Sequence, residues 1–313
     1  MVRLPIEGTL AQYDANAKVV LSNLQILARL LQSCIPEFAD VSVQQIIDGA
    51  IRKDEIKQGV PLDVDESNLY RQSVRSENTE HTTTTEGTVR FDLLVPVKSL
   101  KSSTRYLVDI EMQKGILTPE ERFFRGIYYL CRIVSMQKTV EFQYDDYKKM
   151  SHCYGIWICP YEKENYIVEN HMVSIIKFGK APSRNISDII AMIEIGVGDT
   201  EPVGNDFCKI LYTLFKEKIP AKIKIEKLKQ YGIIFDSGEK EGVMKMGTLG
   251  EVALEYFKEQ ARLEVQEEVR EEADEKANRR VNDIALRMLK KHWPLEDISS
   301  TTEIPESVLK DMA

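Results

Sequence analysis

Along this chain apolar positions gather into short β-branched runs and into longer runs of helical period, and the clearest pair of short runs is Val89–Val95 and Tyr106–Met112. Between them lies a polar stretch from Lys98 to Thr104, a pattern that predicts a β-hairpin with a longish loop. Leu93, Leu94 and Val95, like Leu107, Val108 and Ile110, are apolar on both faces, which predicts strands buried on both sides. The loop also sets the register. Asp92 lies six residues before Lys98 and Glu111 seven residues after Thr104, so the two carboxylates fall almost opposite each other. Facing Cβ atoms of an antiparallel pair are roughly 4.5–5.5 Å apart. Gln113 shares the face of Glu111, because strand side chains alternate.

The pattern then turns helical. Thr118-Pro119-Glu120-Glu121 reads as a helix start, with Thr as N-cap, Pro at the first position and a capping-box Glu. This helix is expected to run to about Met136, with Arg122, Arg125 and Tyr129 on one face. Phe123, Phe124 and Ile127 are assigned to the core. Further on, strands are expected at Tyr154–Cys159 and around Tyr166–Ile176, with helices after Asn205. Upstream, Lys18–Cys34 reads as one long helix and Asp54–Ser76 as a polar, acidic stretch.

Residues 236–242 (Asp-Ser-Gly-Glu-Lys-Glu-Gly) read as a linker. From Gly250 to Arg280 a charged helix carries a thin stripe at Phe257, Ala261, Val265, Val269, Ala273, Ala277 and Val281. The stripe is either a solvated spacer or a seam for a homodimer. Two short helices close the chain; lacking Lys or Arg beyond Lys310 in the second, they read as an interaction cap rather than a major-groove reader. The expected organisation is a helical lead-in over 1–80, an α/β core of mixed sheet flanked by helices over 81–235, a linker and long helix over 236–280, and a helical cap over 281–313.

Composition narrows the classes. A formal net charge of −8 over 313 residues argues against a protein that coats DNA through a generally basic face. No apolar run approaches the roughly 18 residues that span a bilayer, and no signal pattern opens the chain, so a cytoplasmic protein without membrane partners is expected. The five cysteines are scattered without Cys-x-x-Cys, which points to reduced thiols, and the four histidines show no zinc spacing.

Two like charges held together among buried strands are costly unless a cation shares them. Asp92 and Glu111 therefore point to a divalent-metal site, against the plainer reading of an acidic pair decorating a hairpin edge. Glu86 has the parity of Asp92 and is a further ligand or supporting group, unless a turn at Gly87 breaks the strand. For Arg122, Arg125 and Tyr129 the alternatives are phosphate contact and an ordinary amphipathic helix; Arg offers forked donors suited to phosphate oxygens.

Asp92, a hairpin, then Glu111-Met112-Gln113 resembles the motif of the PD-(D/E)XK nuclease family transposases, related to the Rpn group of recombination-promoting nucleases. The resemblance extends to Leu21-Ser22-Asn23, Ile26-Leu27-Ala28, Pro36-Glu37-Phe38, Asn78-Thr79-Glu80, Glu86-Gly87-Thr88, Arg125-Gly126-Ile127-Tyr128-Tyr129, Ser135-Met136-Gln137 and Ile156-Trp157-Ile158-Cys159. It covers the chain from about Lys18 to the C-terminal helices. It implies a restriction-endonuclease-like fold and a DNA endonuclease that uses Mg²⁺, with Mn²⁺ able to substitute. Asp92, Glu111 and the backbone of Met112 would hold the metal, Gln113 would position the attacking water, and Arg122, Arg125, Tyr129 and Gln137 would serve the DNA phosphates and support the site. The sequence departs from the superfamily in having Phe91 where Pro is usual and Gln113 where Lys is usual. Gln supplies no positive charge, which keeps open a second reading: a catalytically degenerate nucleic-acid-binding or scaffold protein on the same fold.

Overall fold

The computed structural model describes residues 6–62, 89–113, 115, 117–138, 146–180 and 189–312. Its centre is a six-stranded mixed sheet flanked by helices. The strands are β1 (Lys57–Leu62), β2 (Val89–Lys98), β3 (Arg105–Met112), β4 (His152–Cys159), β5 (Tyr166–His171) and β6 (Ile190–Gly196), in the spatial order β1-β2-β3-β4-β6-β5. β1 with β2, β2 with β3 and β5 with β6 are antiparallel; β3 with β4 and β4 with β6 are parallel. The helix α4 (Pro119–Met136) makes the crossover from β3 to β4. The parallel strands carry the near-continuous apolar runs expected of a sheet covered on both faces.

The expected hairpin is β2 and β3, and α4 has the expected ends. Thr118 caps it: its side chain accepts from the Glu121 amide while Glu121 reaches back to Thr118, which satisfies two otherwise orphaned donors. One face of α4 lies on the sheet. Leu130 and Ile133 pack with Leu107, Cys153, Trp157 and Met192. Gly126 permits that close approach, since a Cβ there would collide with the Met192 side chain. Phe124 and Ile127, assigned to the core from sequence, point outward and are 63% and 36% exposed, because the buried stripe runs through Arg122, Gly126, Leu130 and Ile133. On the opposite face of the sheet, Phe38 packs edge-on against Tyr106.

Other boundaries differ from expectation for local reasons. The long helix expected over Lys18–Cys34 is two: α1 (Ile6–Leu21) and α2 (Leu24–Cys34). Asn23 separates them by accepting from the Gln25 and Ile26 amides, and an N-cap ends whatever precedes it. β1 lies in the stretch taken as merely polar, and β6 was not anticipated at all. β5 ends at His171, short of Ile176. Helix α3 (Val43–Gly49) starts from a Ser42–Gln45 capping box, and α5 (Asp206–Phe215) from Asn205, followed by α6 (Ala221–Lys229). The expected linker at 236–242 is instead the start of α7 (Ser237–Lys290), where Asp236 accepts from the Glu239 amide and Glu239 accepts from that of Asp236.

The chain divides into two compact units, Met1–Glu255 and Tyr256–Ala313. The first holds the sheet; β1 ties the N-terminal region into it. In the second, Ala285 of α7 packs with Ile298 of α8 (Leu295–Thr302) and Leu309 of α9 (Glu306–Met312), and Glu303 turns the chain between them in the left-handed region. Among the described residues no helix is long and apolar enough to cross a membrane.

Candidate functional site

The pairing of β2 with β3 sets Leu93 against Ile110 and Leu94 against Asp109. Continued one position, that register puts Asp92 opposite Glu111, as the loop predicted. Both are buried, and both sit at the end of the sheet where β3 and β4 finish in parallel. Ligand sites in sheets with parallel strands form at those carboxyl ends. The Asp92 amide donates to Glu111 Oε1 (2.8 Å), and the Met112 amide donates to Asp92 Oδ2 (3.2 Å). The backbone amide of Met112 thus borders the Asp92 carboxylate.

Strand alternation adds a third carboxyl. Asp109 shares the face of Glu111 and is fully buried. Burial first, then the Glu111 and Asp92 carboxylates and a side-chain hydrogen bond with Glu111, push it well above the usual carboxylate range. The parity argument that linked Gln113 to Glu111 applies equally to Asp109, so this residue was within reach of the sequence.

One cation enters from outside the hairpin. Lys18 of α1 places Nζ 2.7 Å from Asp92 Oδ1 and 2.8 Å from Asp14 Oδ2. Burial pulls its pKa down, but the bonds to Asp14 and Asp92 and their attraction outweigh that and raise it. Nothing in a single sequence links residue 18 to residue 92; only the fold does. Gln113 is buried, its amide donates to the Ile158 carbonyl (2.9 Å), and its side-chain Nε2 donates to the Gly115 carbonyl (3.0 Å).

The residues expected to meet phosphate separate into two groups. Arg122 is buried: it donates through Nε to Glu194 (3.0 Å), through Nη1 to Glu162 (2.6 Å) and to the Leu117 carbonyl, and through Nη2 to the Tyr166 hydroxyl. Gln137 is likewise committed, bonding both the amide and the carbonyl of Ser151 and Cys153 Sγ, which fastens the end of α4 to the start of β4. These two support the framework. Arg125 is exposed, stacks 5.5 Å from the Trp157 ring and 5.4 Å from Tyr129, and donates to the Tyr129 hydroxyl (3.2 Å). Glu86 lies outside the described residues. Cys34, Cys153, Cys159 and Cys208 are buried and Cys131 is exposed, all free thiols.

Asp92 and Glu111 offer the oxygen donors that a hard divalent cation takes, with one or two carboxylates sufficing for Mg²⁺. The buried carboxyl of Asp109 lies within reach of their charge, and a cation at Asp92 and Glu111 would relieve that repulsion. Among the described residues no three His, Cys, Asp or Glu side chains already stand in a metal-holding group. Comparison with protein-family models, with curated proteins and with solved structures gives no match.

Proposed function

We propose that this protein is a metal-dependent DNA endonuclease, with Mg²⁺ or Mn²⁺ held by Asp92, Glu111 and the backbone of Met112. The observation that carries this reading is the register that sets Asp92 against Glu111, both buried, with the buried Asp109 carboxyl within reach of their charge. Facing buried carboxylates incur an electrostatic penalty that a cation removes. The restriction-endonuclease-like arrangement and the mobile-element or recombination role follow from the resemblance of Asp92 and Glu111-Met112-Gln113 to that nuclease family.

When bound, the metal supplies Lewis acidity at a phosphate oxygen and a more acidic water. The chain's own groups do the rest. Asp92 and Glu111 would hold the ion, and Gln113, whose Nε2 donates to the Gly115 carbonyl, would position a water. Arg125, exposed and flattened on Trp157 and Tyr129, offers its guanidinium to a DNA phosphate. The exposed Val269 on α7 is where a homodimer seam would lie.

The test is incubation of the purified protein with supercoiled plasmid in Mg²⁺ and in EDTA, beside Asp92→Ala. Nicking that needs the metal and disappears in the variant is the expected result. Intact plasmid in every lane, with Mn²⁺ and single-stranded substrates also tried, would favour the non-catalytic nucleic-acid-binding or scaffold reading, for which Gln113 in place of a cation is the supporting observation.

A further inference from the structure

We infer that Lys18 supplies the cationic group of this site, delivered from α1 rather than from the hairpin. The inference rests on the nuclease reading and deepens it. Hydrolysis of a phosphodiester forms a bond from a water oxygen to phosphorus and breaks the bond from phosphorus to one sugar oxygen. One water proton ends on the departing oxygen and the other on the phosphate monoester. Negative charge grows on the phosphate oxygens as this happens, and preorganised positive groups aimed there accelerate the step.

Among the described residues, the other cationic or amide groups near the site are already engaged. Arg122 spends its donors on Glu194, Glu162, Leu117 and Tyr166. Gln113 is neutral and its amide nitrogen is taken by Gly115. Arg125 rests on Trp157 and Tyr129, bonded to the latter. Lys18, in contrast, touches a proposed metal ligand directly, at 2.7 Å from Asp92 Oδ1. Its side chain is 18% exposed and so only partly withdrawn from solvent. Asp14 and Asp92 fix the ammonium from two directions, which holds a long side chain in one place before substrate arrives. An ammonium has three donors. Asp14 and Asp92 take two, and among the described residues the third has no partner. A non-bridging oxygen of the scissile phosphate is the acceptor that fits it: anionic, as the site requires, and brought to Asp92 by the metal that Asp92 would hold.

The experiment compares wild type, Lys18→Met and Lys18→Met with Gln113→Lys. Each is measured for single-turnover cleavage of a DNA duplex in Mg²⁺, for binding of that duplex by fluorescence anisotropy in EDTA, and for thermal melting. We expect Lys18→Met to slow cleavage about a hundredfold or more with duplex affinity within about threefold, and Gln113→Lys to restore at least about tenfold of the rate. A group that only braced the fold would not be replaced by a lysine on another strand. If Lys18→Met does not fold, Lys18→Gln, which keeps a donor without the charge, carries the same comparison. Cleavage by Lys18→Met or Lys18→Gln near the wild-type rate overturns the role of Lys18 and leaves the nuclease reading intact. Loss without rescue by Gln113→Lys overturns it also, because the charge is then not what was lost. A wild-type protein that cleaves nothing fails the nuclease reading itself and takes this role with it.

Discussion

Two charged clusters lie on the α4 side of the sheet, one on each side of Trp157, which pairs in register with Glu111 on β3 and with Glu194 on β6. Around Glu194 the polar groups are closed by one residue: Arg122 donates to Glu194 and Glu162 together, with Tyr166 and the Leu117 carbonyl completing its donors. Around Glu111 the carboxyls are set against one another. Burial and then the Glu111 and Asp92 carboxylates hold Asp109 well above its usual range, and the Lys18 ammonium is shared between Asp92 and Asp14. Burial is similar in both places, so burial does not distinguish them. The difference lies in what the carboxylates face. Carboxylates bound by the donors of one arginine are framework; carboxyls that face one another are a place for a cation to come.

The contrast can be broken in four ways. The largest expected effect is at Arg122. Arg122→Met would strand Glu194 and Glu162 and should cost about 3–5 kcal/mol of stability, read by urea denaturation. A loss under about 1 kcal/mol would show that the closed cluster is not framework. On the other side, Glu111→Gln keeps an acceptor for the Asp92 amide and removes the charge. It should lower metal-dependent cleavage by about 10²–10³-fold while the protein melts as before. Activity at the wild-type level would move the metal away from Glu111.

The third test concerns Asp109. Its carboxyl is raised by burial and by Glu111 and Asp92, so the fold disfavours the charged form. Its contribution turns unfavourable as pH climbs through the ordinary Asp pKa, and the penalty grows until the raised native pKa is reached. Asp109→Asn should therefore be more stable than wild type above that range, by about 1 kcal/mol or more, and should flatten the pH dependence of stability in denaturant titrations. Destabilisation at neutral pH would mean that the carboxylate is already paired.

The smallest effect belongs to a carboxylate satisfied by donors. Burial pushes Glu37 up, but bonds from Ser99, the Tyr106 hydroxyl and the Leu100 and Lys101 backbone outweigh it and hold it below its usual value. Its stabilisation is present above the ordinary Glu pKa and lost as pH falls through the depressed one, the opposite slope to Asp109. Tyr106→Phe should cost about 0.5–1 kcal/mol at neutral pH, since this carboxylate is largely solvated, and less in acid. Equal cost at both pH values would contradict the assignment.

The part of this picture carried by local pattern was legible in the sequence. The Lys98–Thr104 loop placed Asp92 against Glu111 before any coordinates, and Thr118-Pro119 with Glu121 marked the start of α4. What escaped depends on distant partners or on rules applied once and not again. β1 contains Gly59 and Pro61, which weaken a strand reading, yet Pro is admitted on an edge strand and β1 is one. β6 is a short apolar run, Ile190–Gly196, whose strand identity comes from parallel pairing with β4 rather than from alternation. Lys18 reaches Asp92 from a helix 74 positions away in the chain, so no spacing rule could join them. Arg122 looked like a phosphate ligand because its helical spacing matches that of Arg125; its burial against Glu194 became visible only when β6 was in place.

The proposal that Asp92 and Glu111 hold a divalent cation is the centre of this account. Isothermal titration of the purified protein with Mn²⁺, in parallel with Asp92→Asn and Glu111→Gln, measures this without a nucleic-acid substrate. The account predicts saturable binding by the wild type that both variants lose while retaining cooperative melting. Binding left unchanged in both variants, or no binding by any of the three, would contradict it.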